Sequence, residues 1–209
     1  MKKGRIKAII SDFDGVLCRD YFYNTLKDKR PDLYKIINTR LFKDNKLMIK
    51  DWMRNRLKSN DINKFLSKLT LVEADFFNKE LAASVRAMNL NLKLVRFIKK
   101  IRRKKIKTAI LTDNMDVFRD VFVPYHGLEN FFDVIVSSHE YGVLKDEEGG
   151  RLLELTVKLL ETDCIEILVL DDSLKIGEFC QQRNINFFLY NRLTEDQFEG
   201  WFDSNFCLG

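Results

Sequence analysis

Two aspartates separated by a single residue, Asp12 and Asp14, close the first apolar run of the chain, and Gly15 follows them directly. In an extended strand, residues i and i+2 share a side, so both carboxylates face the same way. Glycine then lets the backbone turn sharply. Three more chemistry-bearing groups follow later apolar runs. They are Thr112-Asp113-Asn114, then Lys145 in the loop beyond Ser137, then Asp171-Asp172-Ser173. Carboxylates a few ångströms apart repel one another, so such a cluster is costly unless a cation relieves it. A hard ion such as Mg²⁺ suits such a cluster. It prefers oxygen and takes one or two protein carboxylates together with water and phosphate. A carboxylate not consumed in this way is free to act as a nucleophile. The Lys145 ammonium and the Thr112 hydroxyl are suited to hold phosphate oxygens.

These residues converge only if the elements carrying them share one end. Short apolar runs at Ile6–Phe13, Lys107–Leu111, Val134–Ser137, Ile165–Leu170 and Asn186–Tyr190 are predicted strands. They are apolar on both faces, as expected of a parallel sheet covered on both sides. Helical spacing over Leu90–Lys104, Leu152–Leu160 and Leu174–Arg183 places helices between them. Strands alternating with helices predict an open α/β sheet of Rossmann-like type with right-handed crossovers. In such sheets ligands bind beyond the carboxyl ends of the strands, where each of the four groups falls. From about Val16 to Asn89 no strand is predicted; helical spacing recurs at Leu33–Phe42, Met48–Leu57 and Ile62–Leu69. That stretch is too long for a crossover and predicts an inserted helical subdomain, residues 16–89, between core segments 1–15 and 90–209.

At these positions the sequence resembles the haloacid dehalogenase (HAD) superfamily. The resemblance rests on D-F-D-G-V after the first strand, I-L-T-D-N after the second, G-V-L-K in a later loop and L-V-L-D-D-S after the fourth. It spans essentially the whole chain. The helical insertion after the first motif resembles the cap of subfamily I, shared by many small-molecule phosphatases. The resemblance implies a Mg²⁺-dependent phosphatase with Asp12 as nucleophile and Asp14 as general acid, then base. It also implies phosphate binding by Thr112, Asp113 and Lys145. Metal would be held by Asp12, the Asp14 carbonyl and Asp172, with Asp171 acting through water. Haloacid dehalogenases resemble the chain less, because by family pattern they lack the second aspartate. A phosphomutase, or a binding protein of the same fold with little turnover, is the alternative. The third motif departs from the family's frequent Lys-Pro-Asp-Pro. It reads Lys145-Asp146-Glu147-Glu148, which predicts a more flexible loop.

Each signal alone has a plain structural explanation. D-x-D-G is a turn with two solvated acids. Asp171-Asp172-Ser173 is an acidic start for the helix from Leu174. Their recurrence at four successive strand ends is what points to a site. Other features are assigned structural roles: His126, His139, the apolar neighbour Cys18, and Tyr21-Phe22-Tyr23 as cap packing. Arg54 and Arg56 are cap cations suited to an anionic substrate.

Composition excludes several classes. Hydrophobic residues make up 45% of 209 and Phe alone numbers 17, enough for a sizeable core. Four spread cysteines (Cys18, Cys164, Cys180, Cys207) form no C-x-x-C pair, which fits a reducing compartment. No apolar run is long enough for a signal-peptide core or a bilayer span, so a soluble, cytoplasmic protein is expected, without membrane partners. Residues 1–109 carry 29 basic and 11 acidic side chains, whereas residues 110–209 carry 7 and 20. Regrouped by the expected architecture, the cap has 16 basic and 9 acidic residues and the core 20 and 22. A positive cap above an acidic metal site would guide an anionic, small phosphorylated substrate. The basic run Lys93–Lys107 is expected to be a solvated amphipathic helix rather than a nucleic-acid surface.

Overall fold

The computed structural model describes residues 4–208. Lys2 and Lys3 of the basic N-terminus and the Cys207 side chain lie outside the described part. Five parallel strands form the main sheet: β2 (Ala8–Ser11), β3 (Lys107–Thr112), β4 (Val134–Ser137), β5 (Ile167–Asp171) and β6 (Asn186–Leu189), in the order β4-β3-β2-β5-β6. A separate two-stranded parallel sheet joins β1 (Gly4–Ile6) to β7 (Phe206–Leu208). The expected first strand Ile6–Phe13 is therefore divided at Lys7 between two sheets. The fourth reaches one residue further than expected and takes in Asp171.

Strand pleating explains the two-sided core. Ile9, Ile110, Leu168 and Leu170 point to one face, and Ala8, Ile10, Ala109, Leu111 and Val169 to the other. The second face is covered by α9 (Arg151–Leu160) and α10 (Leu174–Gln182), through Leu152, Leu153, Ile176 and Phe179. The first face is covered by α6 (Leu92–Arg102) and α11 (Phe198–Asn205), among others. Asn91 caps α6, its side chain accepting from the backbone N–H of Lys93 and Leu94 at 3.2 and 3.3 Å. Leu94, Ile98 and Ile101 of α6 are buried. The Lys93–Lys107 charges lie on the outer face of that helix or just beyond it.

Between β2 and α6 the chain is helical: α1 (Leu26–Lys29), α2 (Pro31–Ile36), α3 (Lys46–Met53), α4 (Ser59–Thr70) and α5 (Ala74–Ala87). A π-helical stretch, Ile37–Lys43, prolongs α2. Three of these elements overlap the expected helices; α5 adds a fourth of 14 residues. α4 and α5 pack against each other, and α5 packs against a second π-helical segment, Phe118–Phe122. The apolar interior of this helical cap is continuous with the first face of the sheet. Trp52, Leu66 and Phe77 belong to the same buried cluster as Ile9 and Phe118. The strands leading in and out of the cap meet where Cys18 bridges Leu90, and Asn91 N–H donates to the Leu17 carbonyl at 2.7 Å. Two short helices, α7 (Val123–His126) and α8 (Ser138–Tyr141), complete the core. Among the described residues no helix is long and apolar enough to cross a membrane.

Candidate active site

The strand order reverses at β2. The chain moves from β2 to β3 and β4 on one side, then crosses to β5 and β6 on the other. A crevice opens at such a switch point beyond the carboxyl ends. Asp12 leaves β2 there: its backbone N–H makes one last ladder bond to the Leu170 carbonyl, 2.8 Å, before the chain turns away. Its carboxylate is fixed on one side by the Phe13 N–H at 2.7 Å and on the other by Lys145 Nζ at 2.7 Å. Lys145 Nζ also reaches Asp171 Oδ2 at 2.8 Å, so one buried ammonium bridges the ends of two neighbouring strands.

Lys145 is held there by its loop. The Asp113 carboxylate, half-buried at the end of β3, accepts the Lys145 backbone N–H at 2.8 Å. The expected flexible loop is in fact tied down by its own acids. Glu147 accepts the Leu144 N–H at 3.0 Å and pairs with Arg54 of the cap; Glu148 pairs with Arg151. Neither of these two acids turns toward Asp12. Arg54 is thereby committed to a carboxylate and Arg56 to Asp51, so the two cap cations expected to meet substrate are engaged elsewhere.

Asp12, Asp171 and Asp172 each bring an oxygen to within 4.8 Å of the others. Gly15 makes this approach feasible. It has φ of +79°, and a Cβ at this position would stand 2.2 Å from Asp172 Oδ2. Three hard oxygen donors on rigid strand ends suit Mg²⁺. The carboxyls of the group raise one another's affinity for protons, a repulsion that a cation would offset. Burial, followed by repulsion from Asp171 and Asp14, pushes the Asp12 carboxyl well above its ordinary range despite Lys145. Asp172 is raised by partial burial and by Asp171. Burial also brings Asp113 up to about 6, against the pull of Lys145, with Asp146 and Asp171 adding to the rise. Burial disfavours the charged form of Lys145, but Asp12, Asp171 and Asp113 outweigh it and keep the ammonium protonated.

Asp14 differs from Asp12 in being reached by solvent at the wall of a cavity. Protein atoms still crowd its carboxyl enough to penalise the charge, and with repulsion from Asp113 and Asp172 they push it up to about 7 against Lys145. A carboxyl in that range gives and takes a proton near neutrality. Asn114 Nδ2 donates to Asp14 Oδ2 at 3.0 Å and fixes its direction. Ser138 Oγ in turn accepts the Asn114 N–H at 3.0 Å. Thr112 ends β3 fully buried, and its hydroxyl has no hydrogen-bond partner among the described residues. An unspent buried hydroxyl is unusual, and it suits an oxygen-rich ligand.

The structure thus brings all seven expected residues, Asp12, Asp14, Thr112, Asp113, Lys145, Asp171 and Asp172, to one end of the sheet. Three further residues act on the site without having been singled out. Asn114 orients Asp14 and was visible only as the last letter of a motif. Arg19 donates from Nε to the Gly15 carbonyl at 3.1 Å and forms a two-pronged pair with Glu195, at 3.1 and 2.9 Å. Asp116 is the third. It anchors the cap by accepting from Trp52 Nε1 at 2.8 Å, from Ser59 N–H at 2.9 Å and from Ser59 Oγ at 2.5 Å. Burial would raise the Asp116 carboxyl, but the Ser59 and Trp52 donors hold it below its usual range. His139 is buried and structural, its Nδ1 lying 3.2 Å from the Trp52 carbonyl. The Cys18 thiol, pushed up to about 12 by burial, is inert.

Residues 6–178 match the family described as haloacid dehalogenase-like hydrolase, and the chain belongs to that family. No curated protein matches the sequence. Solved structures share the fold at low identity. A HAD-family enzyme from Bacteroides thetaiotaomicron, crystallised with magnesium and inorganic phosphate, superposes with a TM-score of 0.65 at 17% identity, over 88% of this chain and 93% of that one. A HAD-like family hydrolase from Porphyromonas gingivalis gives 0.69 at 15%, over 94% and 97%. The L-2-haloacid dehalogenase from Xanthobacter autotrophicus gives 0.67 at 16%, over 93% and 81%. The chain is therefore a HAD-like hydrolase, with a parallel Rossmann-type core and an inserted helical cap.

Proposed function

We propose that this hydrolase is a Mg²⁺-dependent phosphatase of a small phosphorylated metabolite, working through an aspartyl-phosphate on Asp12. The observation that carries this reading is Asp14. It is a carboxyl poised to about 7, oriented by Asn114, two residues from a nucleophile that sits in a three-carboxylate oxygen cluster. A dehalogenase displaces halide and needs no acid for its leaving group; an ester oxygen does. The Bacteroides thetaiotaomicron neighbour with magnesium and inorganic phosphate supports the same reading.

In this mechanism an Asp12 carboxylate oxygen attacks phosphorus, and the bond from phosphorus to the ester oxygen breaks. Asp14 gives its proton to that leaving oxygen. Asp14, now a carboxylate, takes a proton from water as the water oxygen attacks phosphorus. The bond from Asp12 to phosphorus then breaks and inorganic phosphate is released. Lys145 and the Thr112 hydroxyl hold the non-bridging oxygens. Asp12, Asp172 and the backbone carbonyl of Asp14 would hold Mg²⁺, with Asp171 acting through water. When bound, the ion supplies positive charge that offsets the approach of carboxylate and phosphoryl oxygens. The cap excludes water from the site and selects the leaving group.

The test is hydrolysis of p-nitrophenyl phosphate with and without Mg²⁺. Turnover is expected only with the metal, and Asp12→Asn is expected to abolish it. Turnover that survives the substitution contradicts the reading, and release of chloride from 2-chloropropionate would favour the dehalogenase instead.

A further inference from the structure

A cavity of about 610 Å³ opens beside Asp14 and Asp172, between the cap and the loop after β6. Volumes of this size hold a ligand much larger than a phosphate group. Much of its wall is apolar, from Phe22, Phe42, Ile49, Met53 and Met115, and Tyr21 and Asn38 line it as well. Phe42 lies in the last turn of the π-helical stretch and Ile49 and Met53 lie one turn apart on α3, so two cap elements contribute to the apolar wall.

The polar side chains around this cavity are mostly spent within the protein. Arg19 is held by Glu195 and the Gly15 carbonyl, and Asp20 by the backbone and side-chain N–H groups of Asn89. Asn191 accepts the Leu193 N–H. Arg192 is different. It lines the cavity, and among the described residues it makes no hydrogen bond and no ion pair. The cavity therefore offers the Asp14 and Asp172 carboxyls, a largely apolar wall and, at Arg192, a free guanidinium.

Resting on the phosphatase reading above, we propose that the substrate class is the phosphate monoester of an apolar alcohol. Its body is an aromatic ring system or a branched hydrocarbon, and it carries a second anionic group that meets Arg192. A sugar phosphate fits poorly. Its hydroxyls would trade water for Phe22, Phe42 and Met53, and buried hydroxyls without partners are disfavoured. A carboxylate on the substrate body takes the fork of Arg192 in a two-pronged pair.

The experiment compares kcat/KM for acetyl phosphate, glucose 6-phosphate, 2-naphthyl phosphate and 6-carboxy-2-naphthyl phosphate, with Mg²⁺ present. Acetyl phosphate needs only the phosphoryl machinery and reports on the phosphatase reading itself. The naphthyl ester is expected to exceed glucose 6-phosphate by about a hundredfold. The added carboxylate is expected to gain roughly another tenfold, and Arg192→Ala to erase that gain. Ile49→Asp is expected to cut the preference for the naphthyl ester over acetyl phosphate by about tenfold, mainly through KM, with unchanged thermal unfolding as the check on folding. Acetyl phosphate turnover together with equal or better use of glucose 6-phosphate overturns the substrate class alone. Absence of acetyl phosphate turnover overturns the phosphatase reading, and the substrate class with it.

Discussion

The sheet end and the cap that faces it are held by opposite means. At the sheet end, Asp12, Asp14, Asp113, Lys145 and Asp171 each have a hydrogen bond of 3.0 Å or shorter to a neighbour, and Lys145 pairs with both Asp12 and Asp171. In the cap, much of the wall that faces the site is apolar, from Phe22, Phe42, Ile49 and Met53, beside the polar Asn38, Lys46 and Lys50. Polar ties to the core gather at its edge, at Asp116, at the Arg54–Glu147 pair and around Ser138 and His139. On the proposed reading, a cation and a phosphate complete the like charges packed at the sheet end. An apolar wall is complete already. The core therefore fixes what chemistry is done, and the cap fixes what is admitted. Substitutions in the two regions should fail in different ways.

The largest failure is expected at Lys145. Lys145→Met removes the cation shared by Asp12 and Asp171 and leaves two buried carboxylates facing each other. Breaking a buried pair in this way costs about 3–5 kcal/mol. Urea unfolding should report that loss, and hydrolysis should fall below detection. Added Mg²⁺ should restore part of the stability, because a divalent ion answers the same repulsion. A variant as stable as the wild type would mean that the carboxylates do not depend on Lys145.

Gly15→Ala comes next. The new Cβ collides with Asp172 and must adopt a left-handed backbone. Metal affinity and turnover are expected to fall together by roughly 10- to 100-fold, the usual effect of displacing a ligand by its support. A Mg²⁺ titration of activity reads both. Turnover that falls with no change in the half-saturating Mg²⁺ would place Asp172 outside the metal site.

Substitutions where the core holds the cap should act on stability and selectivity rather than on the chemical step. Asp116→Ala strands the Trp52 indole N–H and the Ser59 N–H and hydroxyl, three buried or partly buried donors. About 2–3 kcal/mol is expected in denaturant unfolding. A loss under about 0.5 kcal/mol would mean that water replaces Asp116 and that the cap edge is wet.

Glu147→Gln should be the mildest. Its partner Arg54 holds the Glu147 carboxyl down to about 2, from an ordinary 4.5. A depressed folded-state pKa stabilises above the unfolded value and is lost as pH falls through 4.5 toward 2. The pair is partly solvated, so less than about 1 kcal/mol is expected. The difference between wild type and variant should be present at pH 7 and vanish near pH 2. A difference that is constant with pH would make Glu147 a packing residue, without an ionic tie.

The same division decides what could be read in the sequence. Core strands announce themselves as short apolar runs because both faces are buried, and Val134–Ser137 has the expected limits. Asp12, Asp14 and Asp171 follow from their positions after such runs. The first strand was read as one element because its pattern does not change at Lys7. Only the C-terminal partner β7, distant in sequence, draws Gly4–Ile6 into a second sheet. α11 was missed because its sequence, FEGWFDSN, carries Gly, Asp, Ser and Asn, all poor helix formers. Burial of Phe198 and Phe202 against Phe97 holds the helix instead. Charge without geometry cannot tell a substrate contact from an ion pair, and Arg54 and Arg56 are ion-paired. Asp116 carries no local signal at all; its role exists only because α3 and α4 fold over it.

The most direct measurement traps the phosphorylated enzyme. With p-nitrophenyl phosphate the leaving group needs no proton, so Asp14→Asn should still form the aspartyl-phosphate but fail to hydrolyse it. Acid quench followed by mass spectrometry of the proteolysed protein should then find a phosphoryl adduct on the peptide carrying Asp12, labile to hydroxylamine and absent without Mg²⁺. Turnover by the wild type with no such adduct in either protein, or an adduct on a different residue, would contradict Asp12 as the nucleophile.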